Sequence, residues 1–524
     1  MRLSVSIFLT MALAPATPAL CQSGRMPLLM PDDFSELNLV AWRVELGTPD
    51  PKNPLIEGMM PWDAGGVGIH GSVQRDPIDK KWKAYLVCTP AETTPADHPK
   101  KPWASENAAQ RRVCLFESAD GVHWTRPHLG NVTFGPHKKT NIIFDTDDGV
   151  SAYSSVLIDP SNKNWPYEMF VLRESWSKVR GKPPQGNGYY RYRSRDGRSW
   201  QRQGNVINDP MKGDLCFFYK DAKEGYVAYY RLGAPGKKTD HLPVYEDFPR
   251  RSCFRAVSQD GVTWTRDPMM ALTNDERDHR DTQYQECVPL KVPGGYLGMI
   301  TMYHPITQTL NLRLAASRDG RRWWFPDRRP CFDNPPLGDH GGGMIWQSQY
   351  PIIDKGRLFI YYGGTEGPHR QIFDSRAPFR DIGYQEKVID HGAHFLPFNS
   401  ALCRVSWPLI RLYALASAAG GPTVGVALTT PRKLAGKKLF VNLTTRRTSS
   451  PAAQQHLEGY LQVELLDGHG KPLPGFFRED CQRLKGDHKE VAVQWRGSDR
   501  MPAEARQARF FLRRAFLYGF DVRE

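Results

Sequence analysis

The chain has 524 residues, with 70 Lys and Arg against 56 Asp and Glu, giving a formal net charge of +14 and room for one large domain plus a smaller one. After a greasy start it has no apolar run long enough to span a bilayer, and its Lys and Arg are scattered rather than gathered into basic runs with interleaved aromatics. It lacks a Gly-rich phosphate loop, a His-Glu-x-x-His helix and a Gly-x-Ser-x-Gly elbow, so a membrane span, nucleic-acid binding and the commonest nucleotide, zinc-protease and serine-hydrolase chemistries are set aside.

The start, Met1-Arg2 followed by apolar Leu3 to Pro15 and then Ala16 to Cys21, has the charged, greasy and small-residue regions of a secretory signal over 1–21. Acylation of Cys21 is the weaker alternative because Leu20 is bulky where a small residue is wanted. An exported basic protein suits a solvated surface first and an anionic polysaccharide partner second. Residues 22 to about 60 are Pro-rich and irregular, an arm lying along the domain.

Beyond the arm, one phrase organises the chain: Ser-x-Asp-Gly-x-x-Trp, beginning at Ser118, Ser194, Ser258 and Ser317. Asp-Gly supplies positive φ at a turn, and the Asp carboxylate accepts nearby backbone N–H groups, so each copy is a hairpin turn that also wedges a Trp against its surroundings. Strand-turn-strand units precede the four copies: His70–Asp76 to Trp82–Leu86, Ser154–Asp159 to Tyr167–Phe170, Asp214–Tyr219 to Tyr226–Tyr230, and Gln285–Leu290 to Tyr296–Ile300. A fifth unit, Gln349–Ile353 to Leu358–Tyr362, has no copy. Repetition on this scale predicts an all-β chain with a five-bladed β-propeller over 22–400. Short strands after that, such as Gly459–Asp467 and Ala508–Leu512, predict a C-terminal β-sandwich over 401–524 with a supporting or sugar-contacting role.

A propeller brings the first strand of every blade to one axis, so residues at the starts of those strands share a pocket. Carboxylates stand near four of them: Asp63, Asp148, Asp214 and Glu286. Carboxylates converging from separate strands suit glycoside cleavage, one protonating the leaving oxygen while another activates water or attacks the sugar. The bland alternative makes Asp63 and Asp148 turn formers beside Gly, whereas Asp214 and Glu286 precede apolar residues where an idle buried charge is costly. His70, Trp62, Asp339, His340 and Trp346 are the candidate substrate-binding residues, with inter-blade packing as the alternative for the tryptophans. Cys88 and Cys114, flanking consecutive strands, are the one candidate disulfide. With no C-x-x-C pair, and with Asp145–Gly149 lacking the Glu of a calcium loop, neither metal nor cofactor is expected.

The succession of Asp-Gly-x-x-Trp hairpins on five units, followed by a β-sandwich, resembles the propeller glycosidases of glycoside hydrolase families 32 and 43. Gln285-Glu286-Cys287-Val288-Pro289 is similar to the acid-bearing Glu-Cys-Pro segment of family 32, and Arg75-Asp76-Pro77 is similar to its Arg-Asp-Pro. Aligned instead with the acid strand of family 43, the chain has Asp214 in that place and His70 where the base stands. The resemblance implies a glycosidase acting on a carbohydrate and leaves open which blade carries the acid. Two alternatives remain: a sialidase-like enzyme using Arg173, Arg191, Arg193 or Arg231, and a non-catalytic sugar-binding propeller with Trp62, Trp176 and Trp346 as platforms.

Overall fold

The computed structural model describes residues 26–90, 111–144, 150–174, 188–207, 216–233, 251–368 apart from 270, 280 and 306, 400–417, 423–445 and 459–524. Its regular structure is nearly all strand, arranged as five antiparallel blades around an axis. Blade one runs Gly66–Arg75, Trp82–Thr89, Arg112–Ser118 and Trp124–Thr125; blade two runs Val150–Ile158, Tyr167–Glu174, Gly188–Ser194 and Gln201–Ile207. Blade three comprises Cys216–Asp221, Gly225–Gly233, Arg251–Ser258 and Thr265–Arg266, and blade four Gln283–Val292, Gly295–His304 and Thr309–Ser317, edged by the Ala316–Trp324 bridge. In blade five the first strand is broken into Met344–Gln347 and Ile352–Asp354, both pairing with Arg357–Thr365, which pairs in turn with Ser400–Pro408.

The first strands of blades one to four neighbour one another in turn, and Met344–Gln347 packs back on Gly66–Arg75, closing the ring. At mid-depth the axis is filled: Gln349 of blade five donates from Nε2 to the Cys216 carbonyl of blade three at 2.9 Å and meets the Ser155 hydroxyl of blade two. Ser72 of blade one donates to the Ser154 carbonyl at 2.9 Å. These groups are buried and satisfy one another across the axis.

All four Asp-Gly turns form alike. The glycines have φ of 71° to 75°, Ser Oγ accepts the Gly N–H, and the Asp Oδ1 accepts the next two N–H groups, as Asp120 does from Val122 and His123. Each turn also docks on the preceding blade: Tyr361 donates to the Gly121 carbonyl at 2.7 Å, Tyr85 to Gly197 at 3.0 Å, Arg191 to Asp260 at 2.7 Å, and Tyr229 to Gly320. The repeat tryptophans pack edge-on at those seams, Trp124 against Tyr361 and Trp200 against Tyr85. Because the third strands run away from the pocket, these contacts lie on the opposite face.

Both ends of the chain differ from expectation. The arm contains strands: Phe34–Asn38 and Val40–Val44 pair with Gly425–Thr429 and Tyr413–Ser417, and Thr48–Pro49 is the outer strand of blade five. Ser400–Pro408 belongs to blade five, so the second unit begins after it rather than at 401. That unit is a four-stranded and a five-stranded sheet sharing one core, with Leu461, Val463 and Phe510 from one and Leu439, Val441 and Leu517 from the other. The fifth unit's first strand also starts earlier than predicted, at Met344, and breaks before Ile352, where Tyr350 has φ of 73°. Cys88 and Cys114 are buried and unbridged. The register sets Cys88 opposite Arg112 and Cys114 opposite Leu86, so the two are offset diagonally. Residues 1–21 lie outside the described residues.

Tyr361→Phe deletes one seam hydrogen bond and is expected to lower unfolding free energy by about 1 kcal/mol. Gly121→Ala, whose Cβ falls 2.6 Å from Tyr361 Oη and 2.9 Å from the Trp82 ring at positive φ, is expected to cost about 3 kcal/mol. Denaturant midpoints measure both; a Tyr361→Phe midpoint equal to wild type would show that the seam is held elsewhere.

Candidate active site

The first strands are irregular where they enter the pocket. Register shifts fall between Val67 and Gly71 in blade one, Ser151 and Tyr153 in blade two, and Tyr284 and Glu286 in blade four. An extra residue bends a strand and re-aims its side chains, and it recurs beside active sites. In blade one the cause is visible in the sequence, because Gly66, Gly68 and Gly71 all take positive φ around His70.

Glu286 follows the blade-four bulge and is buried. Thr301 Oγ1 stands 3.5 Å from its Oε2, the Gln347 amide of blade five faces it, and the thiols of Cys216 and Cys253 from blade three feel its charge. Desolvation raises its pKa from 4.5 to about 8, with Thr301, Gln347 and Arg231 pulling the other way. At neutral pH the carboxyl therefore keeps its proton, as a general acid must. Its neighbour Gln285 takes Nη1 donors from Arg231 at 2.9 Å and Arg251 at 2.6 Å.

His70 and Trp346 meet across the seam of blades one and five, ring centroids 4.6 Å apart and edge-to-face. Gln347, whose amide faces Glu286, follows Trp346 in sequence. Trp346 is only 3% exposed and belongs to a buried apolar cluster, so it packs rather than offering an open stacking surface.

Other expectations are corrected. Asp63 is fully buried, but its Oδ1 accepts the N–H groups of Met59 and Met60 at 2.8 and 2.7 Å and its Oδ2 accepts Arg126 Nε at 2.7 Å, so it fastens a corner. Trp62 is 1% exposed and donates to Asn141 at 2.8 Å, a packing residue. Asp339 and His340 line a cleft of about 540 Å³ with Asp50, Asn53, Asp333 and Tyr362, whose lining does not include Glu286. Asp76 ties Lys83 and Tyr167 across the first seam at 2.6 and 2.7 Å. The arginines proposed for a sialidase triad disperse: Arg191 and Arg193 both turn to Glu168, at 2.7 and 3.3 Å, and Arg173 lies over Phe144. Asp148, Asp214 and Trp176 lie outside the described residues.

The sequence reading missed Arg251, Thr301 and Gln347. Only the pairing of Glu286 opposite Thr301 selects the threonine, and nothing local marks the other two.

No family model and no curated protein matches the chain. Among solved structures it is similar to a β-1,2-mannobiose phosphorylase from Listeria innocua, with 13% identity over 69% of this chain and 97% of that one and a TM-score of 0.45. A glycosyl hydrolase from Bacteroides ovatus shares 12% over 73% and 96%, TM-score 0.42. A thermostable family-43 glycoside hydrolase shares 12% over 70% and 95%, TM-score 0.41. At these values the chemistry of the pocket rests on this chain's own side chains.

The raised pKa of Glu286 links to stability. Below pH 4.5 the folded and unfolded chains both hold the proton; between 4.5 and about 8 the folded chain retains one that the unfolded chain releases, so stability falls as pH rises through that window. Glu286→Gln removes the effect and is expected to raise Tm at pH 8 and leave it nearly unchanged at pH 4.5. Equal Tm shifts at both pH values would show an ordinary carboxylate.

Proposed function

We propose that the chain is a glycosidase working at the axial pocket, with Glu286 protonating the leaving oxygen. One observation carries this: the bulged start of blade four seats a buried, proton-retaining carboxyl where side chains of blades three and five also converge. Burial that merely stored a carboxyl would favour pairing it with a cation, as the seam carboxylates are paired.

The partner carboxylate is assigned to Asp214, two residues along the chain from Cys216, whose thiol lies in the field of Glu286. Asp148, two residues before Val150 in the sequence, is the second candidate. Their separation from Glu286 sets the stereochemistry, about 5 Å for retention and about 6.5–9.5 Å for inversion. The reading of 1–21 as a signal supports action outside the cytoplasm, and the charge of +14 supports an acidic polysaccharide as the material met there.

Screening on neutral, uronic and sulfated oligosaccharides and on sialosides identifies the substrate. On it, Glu286→Gln is expected to lower kcat/KM by about 10²–10⁴, with a far smaller loss on an aryl glycoside whose leaving group needs no proton. Activity should decline as pH rises through about 8, where the acid loses its proton. An unchanged rate in Glu286→Gln on an unactivated substrate would overturn the assignment.

A further inference from the structure

One cleft takes no part in proton donation. With a volume of about 540 Å³, it has the size of a small-molecule site. It opens between the segment joining blades four and five, Tyr362 of blade five, and Pro49, Asp50 and Asn53 of the arm. Backbone contacts set its shape. Gly341 and Gly343 donate to the Thr365 carbonyl at 3.1 and 3.0 Å, and Gly338 donates to that of Glu366 at 3.2 Å. A Cβ at Gly342 would fall 2.1 Å from the Pro336 carbonyl, so glycine is what lets the loop close.

Several polar groups in this cleft are held in place but unspent. Asn334 donates from Nδ2 to the Leu310 and Gly341 carbonyls at 2.8 and 2.7 Å, which fixes the amide and leaves Oδ1 without a donor among the described residues. Asp333 Oδ1 accepts Asn311 Nδ2 and the Asn334 N–H, both at 2.9 Å, while Oδ2 has no donor among the described residues. The Asp339 side chain is exposed and is likewise without a partner among them. His340 turns Nε2 toward Glu57 Oε1 at 3.6 Å, and its Nδ1 is buried with no hydrogen-bond partner. Asp50, in contrast, is spent on Arg404 at 2.6 Å.

The charge balance selects the ligand. Among the described residues no group of His, Cys, Asp and Glu is arranged to hold a metal ion. Asp333 and Asp339 repel an anion, and a chain of net charge +14 disfavours the approach of a cation. A neutral polyol meets neither obstacle. Its hydroxyls donate to the carboxylate and amide oxygens, and a hydroxyl answers His340 Nδ1 whether or not that nitrogen carries a proton. Pro49 and Pro335 give the cleft apolar walls against which a sugar ring can lay its C–H groups.

We infer that this cleft is a second saccharide site, which takes a neutral sugar unit through Asp333, Asn334, Asp339 and His340. It is separate from the proposed catalytic group, because Glu286 is not in its lining. A chain held at this second point is kept near the axial pocket; that role rests on the glycosidase reading, whereas the binding itself does not.

Hydrogen–deuterium exchange of the full chain carrying Glu286→Gln locates the binding without requiring turnover. The probes are disaccharides of glucose, galactose and mannose, a galacturonate disaccharide, and a glucosamine disaccharide. At least one neutral probe is expected to slow exchange over residues 332–343, and the two charged probes are not. Asp339→Ala and His340→Ala, added singly, should each weaken that protection by about tenfold in probe concentration, the size of one lost hydrogen bond to a charged or buried group. The inference is overturned if no neutral probe protects 332–343, if a charged probe protects it as well, or if protection survives both variants unchanged. Should the variants fail to fold, the comparison among probes decides alone. Cleavage of a neutral probe by the wild-type chain without protection of 332–343 sinks the second site and leaves the glycosidase reading standing. Protection there by a probe that the wild-type chain does not cleave keeps the site and counts against that reading, so the two failures are separable.

Discussion

The ring depends on a side chain of one blade donating to a backbone carbonyl in the Asp-Gly turn of the next. Tyr361, Tyr85, Arg191 and Tyr229 make this contact at four seams. A carbonyl so bonded cannot rotate without losing its donor, and the turn holding it is itself fixed by its Ser and Asp. Blade five has no such turn. Its seam with blade four uses the parallel bridge of Leu310 and Met344 and the bond from Gln347 Nε2 to the Met299 carbonyl at 3.0 Å. Its outer strand comes from the start of the chain, as Thr48–Pro49, so the ring is closed by residues distant in sequence. The second unit leans on the same face as the turns, where Arg318 of the blade-four turn reaches Asp32 and Asp33 at 2.9 and 2.8 Å.

With that face fastened, the pocket face is free to be irregular. Bulges there cost regular pairing, and the seams below hold the blades while side chains are re-aimed. The electrostatics divide the same way. Other buried carboxylates are paired with cations: Asp76 with Lys83 at 2.6 Å, Glu168 with Arg191, and Asp278 with Arg313 at 2.8 Å. Glu286 instead faces a hydroxyl, an amide and thiols, and it keeps its proton because no close cation outweighs desolvation.

Much of the architecture was legible because the turn chemistry is local: Ser, Asp and Gly dictate the hairpin wherever they occur. The five strand-turn-strand units were legible from alternation for the same reason. What escaped was non-local. Residues 34–49 were read as part of an irregular arm because prolines crowd on either side of them, and their partners lie in the last third of the chain. Asp63 and Glu286 presented the same local pattern, a carboxylate at a strand start; only the fold shows that Asp63 is met by two N–H groups and Arg126, and that Glu286 is not. Arg231 looked like a surface residue on an alternating strand until Gln285 was brought up to it from blade four.

The protonation of Glu286 can be observed directly. Infrared difference spectra between the wild-type chain and Glu286→Gln, recorded from pH 4 to 10, isolate its carboxyl stretch. A protonated band that persists through pH 7 and converts to carboxylate near pH 8 fits a buried acid poised to give up a proton. Conversion complete by pH 5 would contradict that role and leave the pocket without its acid.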